Sequence, residues 1–85
     1  MHPIKSKNDP LTLASNETPR LIRIRTVLAL TSLSKSYTYE LCSKGLFPKS
    51  VQLVNGGTSV AWVRSEVLAW VNSRILQRDE ALNNE

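Results

Sequence analysis

Cysteine, histidine and glycine are scarce in this chain of 85 residues, and each scarcity excludes something. There is one cysteine, Cys42, and one histidine, His2. A single thiol cannot close an internal disulfide, and tetrahedral zinc needs about four Cys or His ligands. A reducing, cytosolic setting follows, with Cys42 as a small core or helix-face residue. No conventional dyad of Cys42 with His2 is expected either, because His2 sits in a segment that reads as mobile. No apolar run approaches the roughly 18 residues of a membrane span, and no apolar stretch follows the basic start of a signal peptide. With 3 glycines in all, the Gly56-Gly57 pair is too short a signal for a nucleotide-binding loop. No paired carboxylates or nucleophile–base pair stand out, so the sequence argues against an enzyme and implies no cofactor. The length allows one domain, close to the lower limit of roughly 40 residues for unstapled folding, with no volume for a deep substrate pocket.

Acidic residues are also missing from the middle of the chain. Between Arg20 and Arg64 stand Arg20, Arg23, Arg25, Lys35, Lys44, Lys49 and Arg64 against Glu40 alone, a local charge of +6, although the whole chain carries only +4. From Ser65 onward the balance is −2. Such concentration in a small domain suits a polyanionic partner; a plain solvated basic face is the other reading.

Residues 1–19 are rich in Ser, Thr, Asn, Pro and Lys and read as a flexible arm. Residues 20–78 read as the folded domain, and 79–85 as a frayed polar tail. Leu21 to Ile24 is short and extended. Ile24, Val27, Leu28 and Thr31 recur on one helical face and predict a first helix over 25–31. Ser32-Leu33-Ser34 breaks it, and Ser34 is a good N-cap for a second helix over 35–44, stopped by Gly45. Leu33, Thr38, Leu41 and Cys42 then face inward. Lys35, Ser36, Tyr37, Tyr39, Glu40 and Lys44 face outward. Two short helices across a tight turn form a helix-turn-helix. Phe47 is the expected core plug, and Pro48 prevents the helix from resuming. Ser50 to Leu53 alternates like a half-buried strand, Asn55-Gly56-Gly57-Thr58 signals a tight turn, and Ser59 to Val63 makes the return strand. A last helix is predicted over 65–78, with Val67, Trp70, Val71, Arg74 and Ile75 as its inner stripe. The fold class expected is mainly α with a small β-hairpin wing: three helices in a winged helix-turn-helix.

Four spaced motifs then stand in order: Leu33-Ser34-Lys35-Ser36 with Tyr39, Lys44-Gly45-Leu46-Phe47-Pro48-Lys49, Val60-Ala61-Trp62, and Ser65-Glu66-Val67 with Ala69-Trp70. Over about two thirds of its length, Leu21 to Arg78, the chain resembles the AlpA-like family of short prophage regulators, within the MerR-like and excisionase-like winged helix-turn-helix domains. The resemblance implies a bacterial or phage source, a cytoplasmic, nucleoid-associated protein, and control of integrase expression or excision of a mobile element. It departs from the family at Arg25, where a helix-starting Pro is common, and at Ser32, where a turn Gly is common. Glu40 and Thr58 stand where basic residues are usual, which removes two phosphate contacts.

On this reading the partner is double-stranded DNA. Reading a major groove needs a helix with short polar and basic side chains on one face. Ser34, Lys35, Ser36 and Tyr37 open the second helix and are the expected readers. Tyr39 serves either as a sugar-phosphate contact or as a half-buried core ring. Lys44 and Lys49 grip phosphates. Asn55, Gly56, Gly57 and Thr58 form the wing tip, where small residues allow close backbone approach, or else simply a tight hairpin. Arg23 and Arg25 touch the flanking strand or solvent. Trp62 and Trp70 belong to the core. A single module of this kind buries only roughly 600 to 1,000 Å², so self-association on repeated half-sites is expected, with an integrase or RNA polymerase as a further partner. A recombination directionality factor bending attachment-site DNA is the nearer alternative, and a protein-binding adaptor the alternative of another class.

Overall fold

The computed structural model describes residues 19–83; the expectation of a flexible arm falls, apart from Pro19, outside the described residues. In chain order the elements are β1 (Leu21–Ile22), α1 (Ile24–Thr31), α2 (Lys35–Ser43), β2 (Val51–Gln52), β3 (Val60–Val63) and α3 (Arg64–Asn83). The strands form an antiparallel sheet in the order β1-β3-β2. Leu21 faces Val63 and Ile22 faces Trp62 across one ladder. Val51 faces Ala61 and Gln52 faces Val60 across the other. This is the winged helix-turn-helix expected from the sequence, mainly helical, with the extended lead-in recruited as a third strand.

Each boundary has a local cause. Arg23 is extended, and its carbonyl accepts from the amides of Thr26 and Val27 at 3.0 and 3.1 Å, which starts α1 one residue earlier than expected. Ser32 ends α1 in the left-handed conformation (φ 65°) while its amide still donates to the Leu28 carbonyl. Ser34 caps α2, its Oγ accepting from the Tyr37 amide at 3.2 Å. At the other end the Gly45 amide donates to the Cys42 carbonyl and the Leu46 amide to the Leu41 carbonyl. This paired pattern closes a helix on a left-handed glycine, and Gly45 has φ +73°. Lys44 is therefore the residue that ends α2, not part of its last turn.

The core is built from Ile22, Val27, Leu41, Phe47, Trp62 and Val67, with Ile24, Leu30, Leu33, Cys42, Val60 and Trp70 packed against it. Phe47 is the plug the sequence suggested, 4% exposed, and its ring packs against that of Trp70 in an edge-type pair with centroids 4.8 Å apart. Trp62 is fully buried, and a buried indole N–H needs a partner. It donates to the Pro48 carbonyl at 3.2 Å. Trp70 Nε1 donates to the Leu46 carbonyl at 2.9 Å, which ties α3 to the turn after α2. Thr38 is the one buried polar side chain among the described residues. Its hydroxyl donates to the Ser34 carbonyl at 2.8 Å, so its burial leaves no orphan donor.

Three expectations need correction. The strand over 50–53 shrinks to Val51–Gln52, and Val51 and Leu53 are both exposed. It lies at the sheet edge, and the alternation it shows in sequence has no layer beneath it. The inner stripe of the last helix holds at Val67, Trp70 and Val71 but fails at Arg74 and Ile75, which are exposed. That helix starts at Arg64 and runs to Asn83, so Asp79–Asn83, expected to fray, is helical. Its second half passes beyond the body that its first half packs against.

Candidate nucleic-acid interface

The helix that would read DNA is α2, and the cap decides how it is presented. Because Ser34 Oγ accepts the Tyr37 amide, its hydroxyl hydrogen stays free to donate outward. Lys35, Ser36, Tyr37, Tyr39 and Glu40 are all exposed, while Thr38 and Leu41 are buried beneath them. A nine-residue amphipathic helix thus turns a polar and aromatic face to solvent from the first turn onward. Free amides and the positive end of the helix dipole favour phosphate at that turn.

The two tyrosines differ. Tyr39 lies with its ring 6.0 Å from that of Trp62, tilted by 59°, yet it remains 41% exposed. The reading of a ring that packs on the core holds in this contact, and the exposed remainder of the side chain leaves room for a contact from outside. Tyr37, 48% exposed, leans instead toward α3. It lines an open groove with Leu33, Leu41, Leu46, Trp70 and Arg74.

The Tyr39–Trp62 contact also joins α2 to the sheet, since Trp62 lies on β3. Pro48 supports the same junction, its carbonyl accepting from Trp62 Nε1 and, at 3.8 Å, from Cys42 Sγ. Lys49 follows directly and is exposed. The hairpin that leaves this junction is the wing. Its tip holds Asn55, Gly56, Gly57 and Thr58, of which only Gly57 is partly covered. Gly56 has φ +77°, the left-handed geometry a tight turn needs. The Gly57 amide closes that turn on the Val54 carbonyl at 2.9 Å.

Among the basic candidates, Lys44 is not independent. Its Nζ lies 2.9 Å from Glu40 Oε2, both side chains about half exposed, so the one acid of α2 occupies the neighbouring ammonium. Arg23 and Arg25 are exposed around the start of α1, and no ion pair engages them or Lys35 and Lys49 among the described residues. One contributor escaped the sequence reading. Gln52 Nε2 donates to the Gly57 carbonyl at 2.8 Å across the hairpin. No residue-type signal marks it, because the bond depends on how far the chain travels between positions 52 and 57. Among the described residues no group of three or more His, Cys, Asp or Glu side chains is placed to hold a metal, and no helix is long and apolar enough to cross a membrane.

Comparison with known proteins bears on what this surface serves. The family described as "Prophage CP4-57 regulatory protein (AlpA)" matches residues 20–75, which spans β1 through the packed half of α3. The protein named "Uncharacterized protein ORF88" of Enterobacteria phage P4 is 49% identical over 59 residues, covering 69% of this chain and 65% of its own length. The chain thus spans a little less than two thirds of that relative. No solved structure matches. The matched stretch contains the helix-turn-helix, the wing and the core that joins them, and the chain belongs to the AlpA family of prophage regulatory proteins.

Proposed function

We propose that this protein is a sequence-specific double-stranded DNA-binding regulator of a prophage or integrative element, acting on integrase expression or excision. The observation that carries the reading is the exposed, Ser34-capped first turn of α2, with Lys35 and Ser36 in solvent above a buried Thr38 and Leu41. A helix so presented can enter a major groove, with Lys35 reaching a guanine edge or a phosphate and Ser36 donating to a base edge. Lys44, Lys49, Arg23 and Arg25 supply backbone contacts, which position the protein without reading sequence. The wing tip from Asn55 to Thr58 takes the adjacent minor groove, where its small residues permit close approach. Family membership supports the regulatory role.

The test is recovery of fragmented host DNA by the purified protein at physiological salt, followed by sequencing. A sharp peak beside a promoter is the expected result. A peak at an attachment site, with bending of that DNA, assigns the protein to recombination directionality instead. No recovery overturns the reading in favour of a protein partner. On a recovered site, Lys35→Ala and Ser36→Ala each weaken specific binding by about 1 to 3 kcal/mol and leave the thermal midpoint unchanged. Unaltered selectivity in both variants places recognition elsewhere.

A further inference from the structure

Beyond the last ladder pair, Gln52 with Val60, the hairpin must turn through residues 53–59. Seven residues are more than a two-residue hairpin loop requires, and unrestrained they would sample many conformations. Three hydrogen bonds narrow that choice. The Leu53 amide donates to the Ser59 carbonyl at 2.9 Å and closes the neck. The Gly57 amide donates to the Val54 carbonyl at 2.9 Å and forms the turn. The third is Gln52 Nε2 to the Gly57 carbonyl at 2.8 Å, the one side-chain bond made to the tip among the described residues. Gly57 is thereby held through both its amide and its carbonyl. Its neighbourhood is tight: a Cβ there would meet the Val54 carbonyl oxygen at 3.3 Å. No hydrophobic layer does this work instead, since Val51, Leu53 and Val54 are all exposed.

We infer that Gln52 is a positioning residue for the wing: its carboxamide holds the Asn55–Thr58 tip in the shape that meets DNA. The inference rests on the proposed DNA-binding function. It assigns to Gln52 a role in that site without contact to the nucleic acid. The bond fixes the tip before binding, so the ordering cost is not charged against affinity. Its loss leaves β2 paired and the core intact, because Gln52 is exposed and is not one of the core residues.

The test compares the full chain with Gln52→Met, which keeps the side-chain length and removes the donor, and with Gln52→Ala. Two readouts are taken: amide hydrogen exchange at Gly57 in the free protein, and hydroxyl-radical footprints on a duplex selected by the wild-type protein from a random-sequence pool. Both variants are expected to exchange the Gly57 amide faster. Each should bind about three- to tenfold more weakly, the equivalent of one net hydrogen bond. Protection under the wing should fade while protection under α2 persists, with an unchanged thermal midpoint. Unchanged exchange at Gly57 overturns the brace whatever the DNA result. Faster exchange with undiminished wing protection overturns its role in binding. Failure of the wild type to select any duplex rejects the DNA reading, and the exchange measurement then decides the brace by itself.

Discussion

Single residues hold the clearest departures from ease. Ser32 adopts φ 65° and ψ 17° at the end of α1, a conformation that costs a side chain with a Cβ roughly 1 to 2 kcal/mol. Glycine at this position removes that cost but enlarges the unfolded ensemble by about 0.4 to 1 kcal/mol. Ser32→Gly is therefore expected to stabilise the domain by about 0.5 kcal/mol, read as a higher denaturation midpoint at constant slope. Glu40 offers a second residue-scale prediction. Its carboxylate engages Lys44 at 2.9 Å in an exposed pair, worth only a few tenths of a kcal/mol to stability. Glu40→Gln frees the ammonium for phosphate and removes a repelling charge. Stability should barely move, while DNA affinity rises and the slope of log K against log salt steepens by about 1. Titration of binding against salt for the two proteins checks it; equal slopes would show that Lys44 makes no phosphate contact.

At the scale of elements, the fold depends on contacts between pieces that are each too short to persist alone. The eight residues of α1 and nine of α2 are below the length at which isolated helices are stable. They are held by the segment after α2. Phe47 fills the core, the Pro48 carbonyl receives Trp62, and the Leu46 carbonyl receives Trp70. Phe47→Ala is expected to cost about 3 to 5 kcal/mol, a large part of the stability of so small a domain. Trp70→Phe keeps most of the apolar contact and loses the bond to Leu46, costing about 1 kcal/mol. Chemical denaturation of both variants separates the two losses; equal costs would mean that the Phe47 side chain contributes no more than the Trp70 bond. The first half of α3 is anchored in this way, and Ile75, Leu76 and Leu82 in its second half stay exposed.

Considered whole, the molecule carries Arg20, Arg23, Arg25, Lys35, Lys44, Lys49 and Arg64 around the helix-turn-helix and the ends of the hairpin, no basic residue within the hairpin from Ser50 to Val63, and Asp79 and Glu80 toward the end of α3. Five or six of the basic groups meeting phosphate would give a salt slope of about −5. One module of this size is weakly selective. Binding is therefore expected on repeated half-sites, with two or more copies footprinting together and cooperatively. Sedimentation of the protein with duplexes bearing one and two half-sites provides the check, and equal affinity per copy on both would remove cooperativity from the proposal.

The sequence by itself determined what local chemistry can determine. The Ser34 cap, the Gly45 stop, the Asn55–Gly57 turn and the outward set on α2 are legible because each depends on neighbours within a few residues, and Phe47 is legible as the plug because it is the one phenylalanine of the chain. The four motifs likewise carried the family. Tertiary structure alone decided the rest. Leu21–Ile22 became a strand because β3 offered an open edge. The alternation over 50–53 stayed unburied because nothing packs on the β2 edge. The stripe of α3 lost its cover at Arg74 because the body ends there. Tyr39 packs its ring against Trp62 because separate segments of chain meet there, and Gln52 reaches Gly57 because the hairpin folds its tip back over β2. Periodicity reports which face of an element is apolar; only the packed molecule supplies the surface that covers it.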